Sequence, residues 1–128
     1  MNGWLLVDKP PGVSSHDVVD SARGWLRQRR VGHTGTLDPL ATGLLVLCLG
    51  AATRLSEYLI RQSKEYHAVV RLGEITDSYD ADGEVTDTRP VNVGLVEVTA
   101  ALHQFRGEIE QYPPSFSAIK SAGQRAYK

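Results

Sequence analysis

The sequence predicts an α+β fold, with a mixed, largely antiparallel sheet flanked by helices. Apolar residues recur at helical spacing after residue 15, whereas residues 65–72 (EYHAVVRL) alternate with a period of two, which is typical of a half-buried strand. Residues 80–83 (DADG) then predict a hairpin turn. Because a tight hairpin joins antiparallel strands, this pattern favours α+β over a doubly wound parallel sheet.

The first predicted elements are a strand and a helix. Residues 3–7 (GWLLV) predict a short strand that ends in a turn-forming cluster, DKPPG. Either Ser14 or Ser15 can cap the helix that follows, and Asp17 has the capping-box spacing from Ser14. The apolar spacing predicts a helix over residues 15–29, with three side chains on its apolar side: Val18, Ala22 and Leu26.

Three arginines at the end of this predicted helix and directly after it, Arg23, Arg27 and Arg30, are spaced at i, i+4 and i+7, which places them on one helical face. The net charge of the chain is −1, but residues 1–64 hold eight Lys or Arg against five Asp or Glu, and the remainder holds six against ten. The first half is therefore the candidate contact surface for an anion. The arginines are either a solvated helix face or a row of contacts to RNA phosphates.

Residues 44–49 form the longest apolar run and predict a strand buried on both sides. The run includes Cys48, the single cysteine, as a buried thiol. Residues 51–60 predict a helix. Tyr66 lies on the apolar side of the predicted strand over residues 65–72, where its ring can belong to the core or can stack on an unpaired base.

The second half of the chain predicts one more strand after the hairpin turn, over residues 84–88. A helix follows, which Gly107 ends and whose apolar positions are Leu95, Val98, Leu102 and Phe105. Residues 107–112 predict a last strand before two prolines.

Composition limits the class of protein. A chain of 128 residues with 41% hydrophobic and 23% charged residues is typical of one soluble globular domain. No apolar run approaches the roughly 20 residues of a membrane helix. A single cysteine cannot form an intrachain disulfide, which suits a reducing cytoplasm.

Motifs for metals, nucleotides and triads are absent from the sequence. The four histidines have no short paired spacing. If Gly83 is set at the sixth position of a calcium loop, Ser78 and Arg89 fall where carboxylates are needed. No phosphate-binding glycine motif occurs, and the run Ser-Ser-His-Asp at residues 14–17 is explained by helix capping, since triad residues meet in space rather than in sequence.

The segment VGHTGTLDPLATG, residues 31–43, is the strongest candidate site. It holds one carboxylate, Asp38, and one imidazole, His33, among three glycines. Pro39 biases Asp38 away from the α region, so the acid lies on extended or turned backbone. Asp38 either caps a turn or is displayed to a substrate as a nucleophile or base.

Five separated motifs resemble the N-terminal part of the TruB family of tRNA pseudouridine synthases, in its bacterial form. Residues 4–15 (WLLVDKPPGVSS) resemble the family's first motif, and residues 32–43 (GHTGTLDPLATG) resemble its catalytic motif nearly letter for letter. Residues 64–66 (KEY) are similar to its Lys-x-Tyr strand, and residues 76–83 (TDSYDADG) to the turn that follows. Residues 113–120 (PPSFSAIK) are similar to the start of its RNA-gripping thumb segment.

The resemblance implies a role for each matching residue. Asp38 would be the nucleophile that isomerises a uridine in the T loop of tRNA, at position 55. His33 would help to hold the nucleotide out of its stack. Tyr66 would be a second catalytic residue, which stacks on the flipped base and helps the late removal of the proton from C5. Asp80 would belong to the nearby hydrogen-bond network. Residues for structural support and for RNA phosphates complete the expected site: Lys9 and Pro10, and Arg23, Arg27 and Arg30.

The resemblance also implies the extent of the enzyme and its partners. Residues 1–112 would be the N-terminal part of the catalytic domain and residues 113–128 the start of the thumb. The cationic partner of Asp38, the rest of the thumb and a C-terminal RNA-binding domain are expected beyond residue 128, so this part alone is expected to be inactive. No cofactor or metal is expected, because the reaction includes no redox or phosphoryl-transfer step. The expected partner is tRNA, bound by a monomer or by two chains that complete one enzyme. A non-catalytic RNA-binding or chaperone module is the alternative.

Overall fold

The computed structural model describes residues 1–110, 120–121 and 124–125, and it divides the chain into two compact units, residues 1–67 and 68–128. Helices accompany antiparallel strand pairs in the described residues, which confirms the predicted α+β class. No helix of these residues is long and apolar enough to cross a membrane.

The first unit is built on a three-stranded antiparallel sheet. Strands β1 (Gly3–Lys9), β2 (Val31–His33) and β3 (Gly43–Leu49) lie in the order β1-β3-β2, so β3 pairs with both of the others. The predicted first strand therefore extends two residues further than its apolar run, to Lys9. This extension matters because it places Lys9 opposite Gly43, where the loop between β2 and β3 ends.

Helix α1 (Ser15–Leu26) begins as predicted. Ser14 is the N-cap, its hydroxyl oxygen accepts the backbone N–H of Asp17 at 3.1 Å, and the Asp17 carboxylate accepts the Ser14 N–H at 2.8 Å. This capping box satisfies backbone donors that a helix leaves free at its start. The Ser14 hydroxyl also donates to the Asp17 carboxylate, at 2.7 Å, and this bond together with the one from the Ser14 N–H lowers the pKa of the Asp17 carboxyl.

Helix α1 ends earlier than the predicted residue 29. Arg27 adopts the left-handed conformation, with φ 49° and ψ 40°, and the N–H groups of Gln28 and Arg27 bond back to the carbonyl oxygens of Arg23 and Gly24. This 6→1 and 5→2 pattern is a Schellman motif, which terminates a helix. Glycine usually occupies the left-handed position, so an arginine there gave the sequence no signal of the end.

The core of the first unit lies between α1 and one face of the sheet. Helix residues pack on strand residues that alternate along β3, and the buried set is Val18, Val19, Ala22, Val31, Leu45, Leu47 and Leu49. The other face of β3 is only partly covered, because Leu44 is 66% exposed and Val46 is half-buried. The prediction of a strand buried on both sides was therefore wrong at its start, whereas the predicted burial of Cys48 is confirmed.

Residues 51–60, predicted as one helix, form two shorter pieces. A 3₁₀ helix spans Gly50–Leu55 and α2 spans Ser56–Ile60. Leu55 and Tyr58 are exposed, so this region contributes little to the core.

The predicted strand over residues 65–72 is wrong. Residues 63–71 have irregular backbone, and the side chains of Tyr66, Val69 and Val70 are all exposed. An alternating pattern gives a strand only when a neighbouring strand pairs with its backbone, and no strand of the described residues pairs with this segment.

The second unit contains the predicted hairpin. Strands β4 (Glu74–Thr76) and β5 (Val85–Thr88) pair antiparallel, and the loop between them holds residues 80–83. Helix α3 (Leu95–Leu102) continues into a 3₁₀ turn (His103–Phe105), which agrees with the predicted helix, and Gly107 follows with φ +78°.

The last prediction of a strand, over residues 107–112, is wrong for the four described residues, 107–110, which form no strand. Its final two residues lie outside the described part. The predicted thumb segment, residues 113–128, also lies outside it except for a two-residue pair, β6 (Lys120–Ser121) with β7 (Gln124–Arg125).

Candidate active site

The candidate site is the loop of residues 34–42 between β2 and β3, which we call the Asp38 loop. The loop is fixed where it leaves β2, because the backbone N–H and the hydroxyl of Thr34 both bond to the carbonyl oxygen of Val46, at 3.0 and 3.3 Å. Since Val46 belongs to the central strand, the loop starts from a rigid point of the sheet.

Lys9 ties the loop to the end of β1. Its side chain is fully buried, and its ammonium donates to the carbonyl oxygens of Pro10 at 3.0 Å, Val13 at 2.7 Å and Pro39 at 3.1 Å. A buried charge is tolerated only when hydrogen bonds replace its water, and the three carbonyl dipoles do so here. Pro39 is the residue directly after Asp38, so this ammonium fixes one side of the acid.

Ser15 ties the loop to the start of α1. Its hydroxyl is 2% exposed; it accepts the backbone N–H of Leu37 at 2.9 Å and donates to the carbonyl oxygen of Leu37 at 3.0 Å. One side chain therefore satisfies both backbone groups of the residue directly before Asp38. The sequence suggested only a capping role for Ser15, and no spacing rule connects residues 22 positions apart.

Hydrogen bonds thus hold the backbone directly before and directly after Asp38. The Gly12 N–H adds a second bond to the Pro39 carbonyl oxygen, at 2.8 Å. The carboxylate of Asp38 is exposed, and among the described residues no hydrogen bond or ion pair engages it. The local turn is closed instead by the backbone, because the Ala41 N–H donates to the Asp38 carbonyl oxygen at 3.0 Å. The carboxylate therefore caps no turn within the described residues.

His33 lies at the end of β2, opposite Leu47 of β3. Its ring is half-buried, and its Nδ1 is buried without a hydrogen-bond partner among the described residues. His33 directly precedes the loop, so the only imidazole of the segment stands at the same end of the sheet as Asp38.

The three arginines do not share a helical face, which corrects the prediction. Because α1 ends at Leu26, Arg27 stands in the left-handed position and Arg30 belongs to the connection to β2. Arg23 is half-buried, with its guanidinium bonded to Asp20 at 2.8 Å and to the carbonyl oxygen of Val31 at 3.0 Å. Arg30 donates from Nε to the hydroxyl of Thr53 at 2.8 Å.

A shallow open depression of about 450 Å³ nevertheless lies at the C-terminal end of α1. It is lined by Arg23, Gly24, Arg27, Gln28 and Arg29. Arg29, which the spacing argument omitted, is exposed and belongs to this basic surface. A cluster of guanidinium groups around a shallow surface suits an extended anion better than an enclosed small molecule.

Tyr66 and Asp80 do not belong to the Asp38 loop. Tyr66 is 65% exposed on irregular backbone. Asp80 lies in the second unit, where its carboxylate accepts the Ser78 hydroxyl at 2.6 Å and the Asp82 N–H at 3.0 Å. These bonds shape the turn between β4 and β5, which is the ordinary use of an Asp in a turn.

Lys64 is a neighbour of the Asp38 loop that its position in the sequence does not reveal. A methyl group added at Gly35 would lie 3.6 Å from the Lys64 Cε. The Lys64 ammonium donates to the carbonyl oxygens of Ile60 and Gln62, at 2.6 and 3.1 Å. The lysine stem therefore lies against the glycine-containing part of the loop while its charge neutralises the end of α2.

Comparison with known proteins identifies the family of this chain. Residues 23–128 match the family model described as TruB family pseudouridylate synthase (N terminal domain). The whole chain is 48% identical to the proteins named tRNA pseudouridine synthase B of Escherichia coli K12 and of Shigella flexneri serotype 5b, over 41% of their length. A crystal structure of a Cbf5-Nop10-Gar1 complex matches with a TM-score of 0.62 and 29% identity, over 92% of this chain and 31% of that one.

The chain therefore belongs to the TruB family of pseudouridylate synthases, and it matches the N-terminal domain of that family. It spans about two-fifths of the length of the curated relatives. The predicted resemblance to the N-terminal part of this family is confirmed.

Proposed function

We propose that the full-length protein converts a uridine of tRNA to pseudouridine in the cytoplasm, and that Asp38 is the nucleophile. The finer proposal is that the target is the uridine at position 55 of the T loop, flipped out of its stack before the chemistry. The relatives' name, tRNA pseudouridine synthase B, supports tRNA as the class of substrate. The resemblance of residues 32–43 to the family's catalytic motif supports Asp38 as the acid.

The observation that carries the proposal is the contrast between the backbone and the side chain of Asp38. The residues before and after it are fixed by the buried side chains of Ser15 and Lys9. Its carboxylate is exposed, and no described residue bonds to it. A carboxylate that served the fold would be bonded to a donor, whereas a nucleophile has to stay accessible and fixed in direction.

The reaction needs one such group and a proton balance that the substrate can supply. The glycosidic bond between N1 of the base and C1′ of the ribose breaks, and a bond between C5 and C1′ forms. The hydrogen on C5 leaves as a proton, and N1 gains one, so no electrons are exchanged with another molecule. A carboxylate can assist by adding to the ribose carbon or to the uracil ring, and either route uses Asp38 in the same place.

The basic surface at the end of α1 supports an RNA substrate. Arg27 and Arg29 are exposed there, and exposed guanidinium groups neutralise phosphates without reading sequence. We propose that they hold the tRNA backbone, and that Arg23 and Arg30 keep this surface in shape through their bonds to Val31 and Thr53. His33 and Tyr66 are proposed to hold the flipped nucleotide, since both are ring side chains that can stack on a base.

The test is release of tritium from tRNA labelled at C5 of uridine, measured with the full-length protein and with its Asp38→Asn variant. Loss of release in the variant, with tRNA binding kept within about threefold, is the expected result. Release at the native rate by Asp38→Asn would refute the role of Asp38. If the native protein binds tRNA but releases no tritium, the non-catalytic RNA-binding alternative is correct.

A further inference from the structure

We infer that Ser15 is a positioning residue of the isomerisation: its hydroxyl fixes Leu37 and thereby sets the direction of the Asp38 carboxylate. The inference rests on the proposed function of Asp38. It gives Ser15 a role in kcat rather than in RNA binding or in helix capping.

The geometry of the hydroxyl carries this inference. A single Oγ accepts from the Leu37 N–H at 2.9 Å and donates to the Leu37 carbonyl oxygen at 3.0 Å. Both backbone groups of one residue are therefore held by one atom, which limits the rotation of the peptide planes on either side of Leu37. The second of these planes, which contains the Leu37 carbonyl group, ends at the Cα atom of Asp38.

The support behind Ser15 is rigid. Ser15 is the first residue of α1 and is 2% exposed, and Val18 and Val19 of the same helix are buried against the sheet. A group anchored in a packed helix positions its partner more sharply than one on a free loop, because packed side chains have few alternative rotamers. Through this hydroxyl, the packed core therefore fixes the position of the loop at Leu37.

Ser15 and Lys9 have complementary tasks. The Lys9 ammonium holds the Pro39 carbonyl oxygen from one side, with a second bond from the Gly12 N–H. Without Ser15, the loop would keep this anchor after Asp38 and lose the one before it. Asp38 could then rotate about the anchored Pro39. The direction of its carboxylate would change, while the loop would stay bonded to Lys9.

Ser14 provides a matched control within the same chain. It is also a serine at the start of α1, but its hydroxyl bonds only to Asp17, at 2.7 and 3.1 Å, among the described residues. Removing its hydroxyl weakens the cap of the helix and leaves both bonds to Leu37 in place. Ser14→Ala and Ser15→Ala thus change the same chemical group, one position apart, with only the second acting on the loop.

The experiment compares kcat and KM for tRNA in the full-length protein and its Ser15→Ala, Ser14→Ala and Asp38→Asn variants, at a temperature where all are folded by circular dichroism. For Ser15→Ala we expect kcat to fall by roughly 10- to 100-fold, since a displacement of about 1 Å costs up to that much, with KM within about twofold. We expect Ser14→Ala to keep kcat within about twofold. Amide exchange at Leu37 should accelerate in Ser15→Ala alone.

The outcomes separate the inference from the function it rests on. If Asp38→Asn is inactive while Ser15→Ala keeps the native kcat, or while Ser14→Ala loses as much as Ser15→Ala, the inference is wrong and the proposed function stands. If Asp38→Asn is active, the proposed function fails first. Should Ser15→Ala not fold, Ser15→Cys decides, because it preserves size and replaces the hydroxyl by a weak donor. A native kcat in Ser15→Cys would then overturn the inference.

Discussion

The ammonium of Lys9 lies 3.1 Å from the carbonyl oxygen of Pro39, although 30 positions separate the two residues in the chain. The bond joins a fully buried side chain at the end of β1 to the residue that follows Asp38. A lysine, the residue type most often found in solvent, is used here as a three-way hydrogen-bond donor to backbone.

This use of Lys9 predicts a large loss of stability on its replacement. Lys9→Met has a similar length but leaves the carbonyl oxygens of Pro10 and Val13 without their donor. We expect the free energy of unfolding to fall by about 2–4 kcal/mol, measured by urea denaturation. Lys64→Met, at an exposed lysine, is the control and should cost less than about 1 kcal/mol. Equal losses in the two variants would contradict the buried role of Lys9.

For Asp38, in contrast to Lys9, we expect replacement to have little effect on stability. Its carboxylate is exposed and bonded to no described residue, so Asp38→Ala should change the free energy of unfolding by less than about 0.5 kcal/mol. Thermal and urea unfolding of the native protein and the variant check this directly. A marked destabilisation would mean that the carboxylate serves the fold after all, which would weaken the case for a nucleophile.

Asp17 predicts a pH dependence of stability. The Ser14 hydroxyl and N–H hold the pKa of this carboxyl below its usual value near 3.8. A lowered folded-state pKa means that the stabilisation is complete above about pH 4 and disappears as the pH falls through the folded value. Asp17→Asn should therefore lower Tm at pH 5–7 and have a shrinking effect between pH 4 and 2. A difference in Tm that stays constant down to pH 2 would rule out this linkage.

Cys48 predicts resistance to thiol reagents. The thiol is buried, and burial raises its pKa, so both access and the thiolate fraction are reduced. Under native conditions at pH 8 we expect alkylation by iodoacetamide to be at least about 100-fold slower than in urea, since the reaction must wait for local opening. Fast labelling of the native protein, followed by mass spectrometry, would show that β3 opens readily.

For the arginines we expect different effects: replacement of Arg27 should weaken tRNA binding, and replacement of Arg23 should lower stability. Arg27→Ala removes an exposed guanidinium and should weaken tRNA binding by the full-length protein, with the slope of log K against log salt reduced by about 1. Arg23→Ala breaks the bond to Val31 and should instead lower Tm. Salt titrations and thermal unfolding of both variants measure these effects. If Arg27→Ala leaves the salt slope unchanged, the basic surface at the end of α1 does not hold phosphate.

Local signals in the sequence predicted the parts of the fold that depend on neighbours in the chain. The Ser14 and Asp17 capping box, the buried Cys48 and the hairpin between β4 and β5 are all of this kind. The end of α1 was missed because Arg27 takes a conformation for which glycine is the usual signal. The segment around Val69 was predicted as a strand because alternation reports a pattern of side chains and says nothing about a partner for the backbone.

In the candidate site, too, the sequence predicted a residue but not the long-range contacts that hold it. Asp38 could be singled out because it is the only carboxylate in its segment, and resemblance to a family gave it a role that residue types alone left open. The two anchors of the Asp38 loop could not be predicted, since the bonds of Ser15 to Leu37 and of Lys9 to Pro39 join residues far apart in the chain. No periodicity reports such contacts, and both depend on how α1 and β1 pack.

The two anchors of the Asp38 loop have a consequence for protein engineering. Both originate in one short stretch, residues 9–15, which runs from the end of β1 into α1. The loop carries the acid but does not determine its own shape. A designer who moved residues 34–42 alone into another scaffold would transplant the loop without the hydrogen bonds that shape it. A graft that keeps the shape would have to carry residues 9–15 and 34–42 at their native spacing.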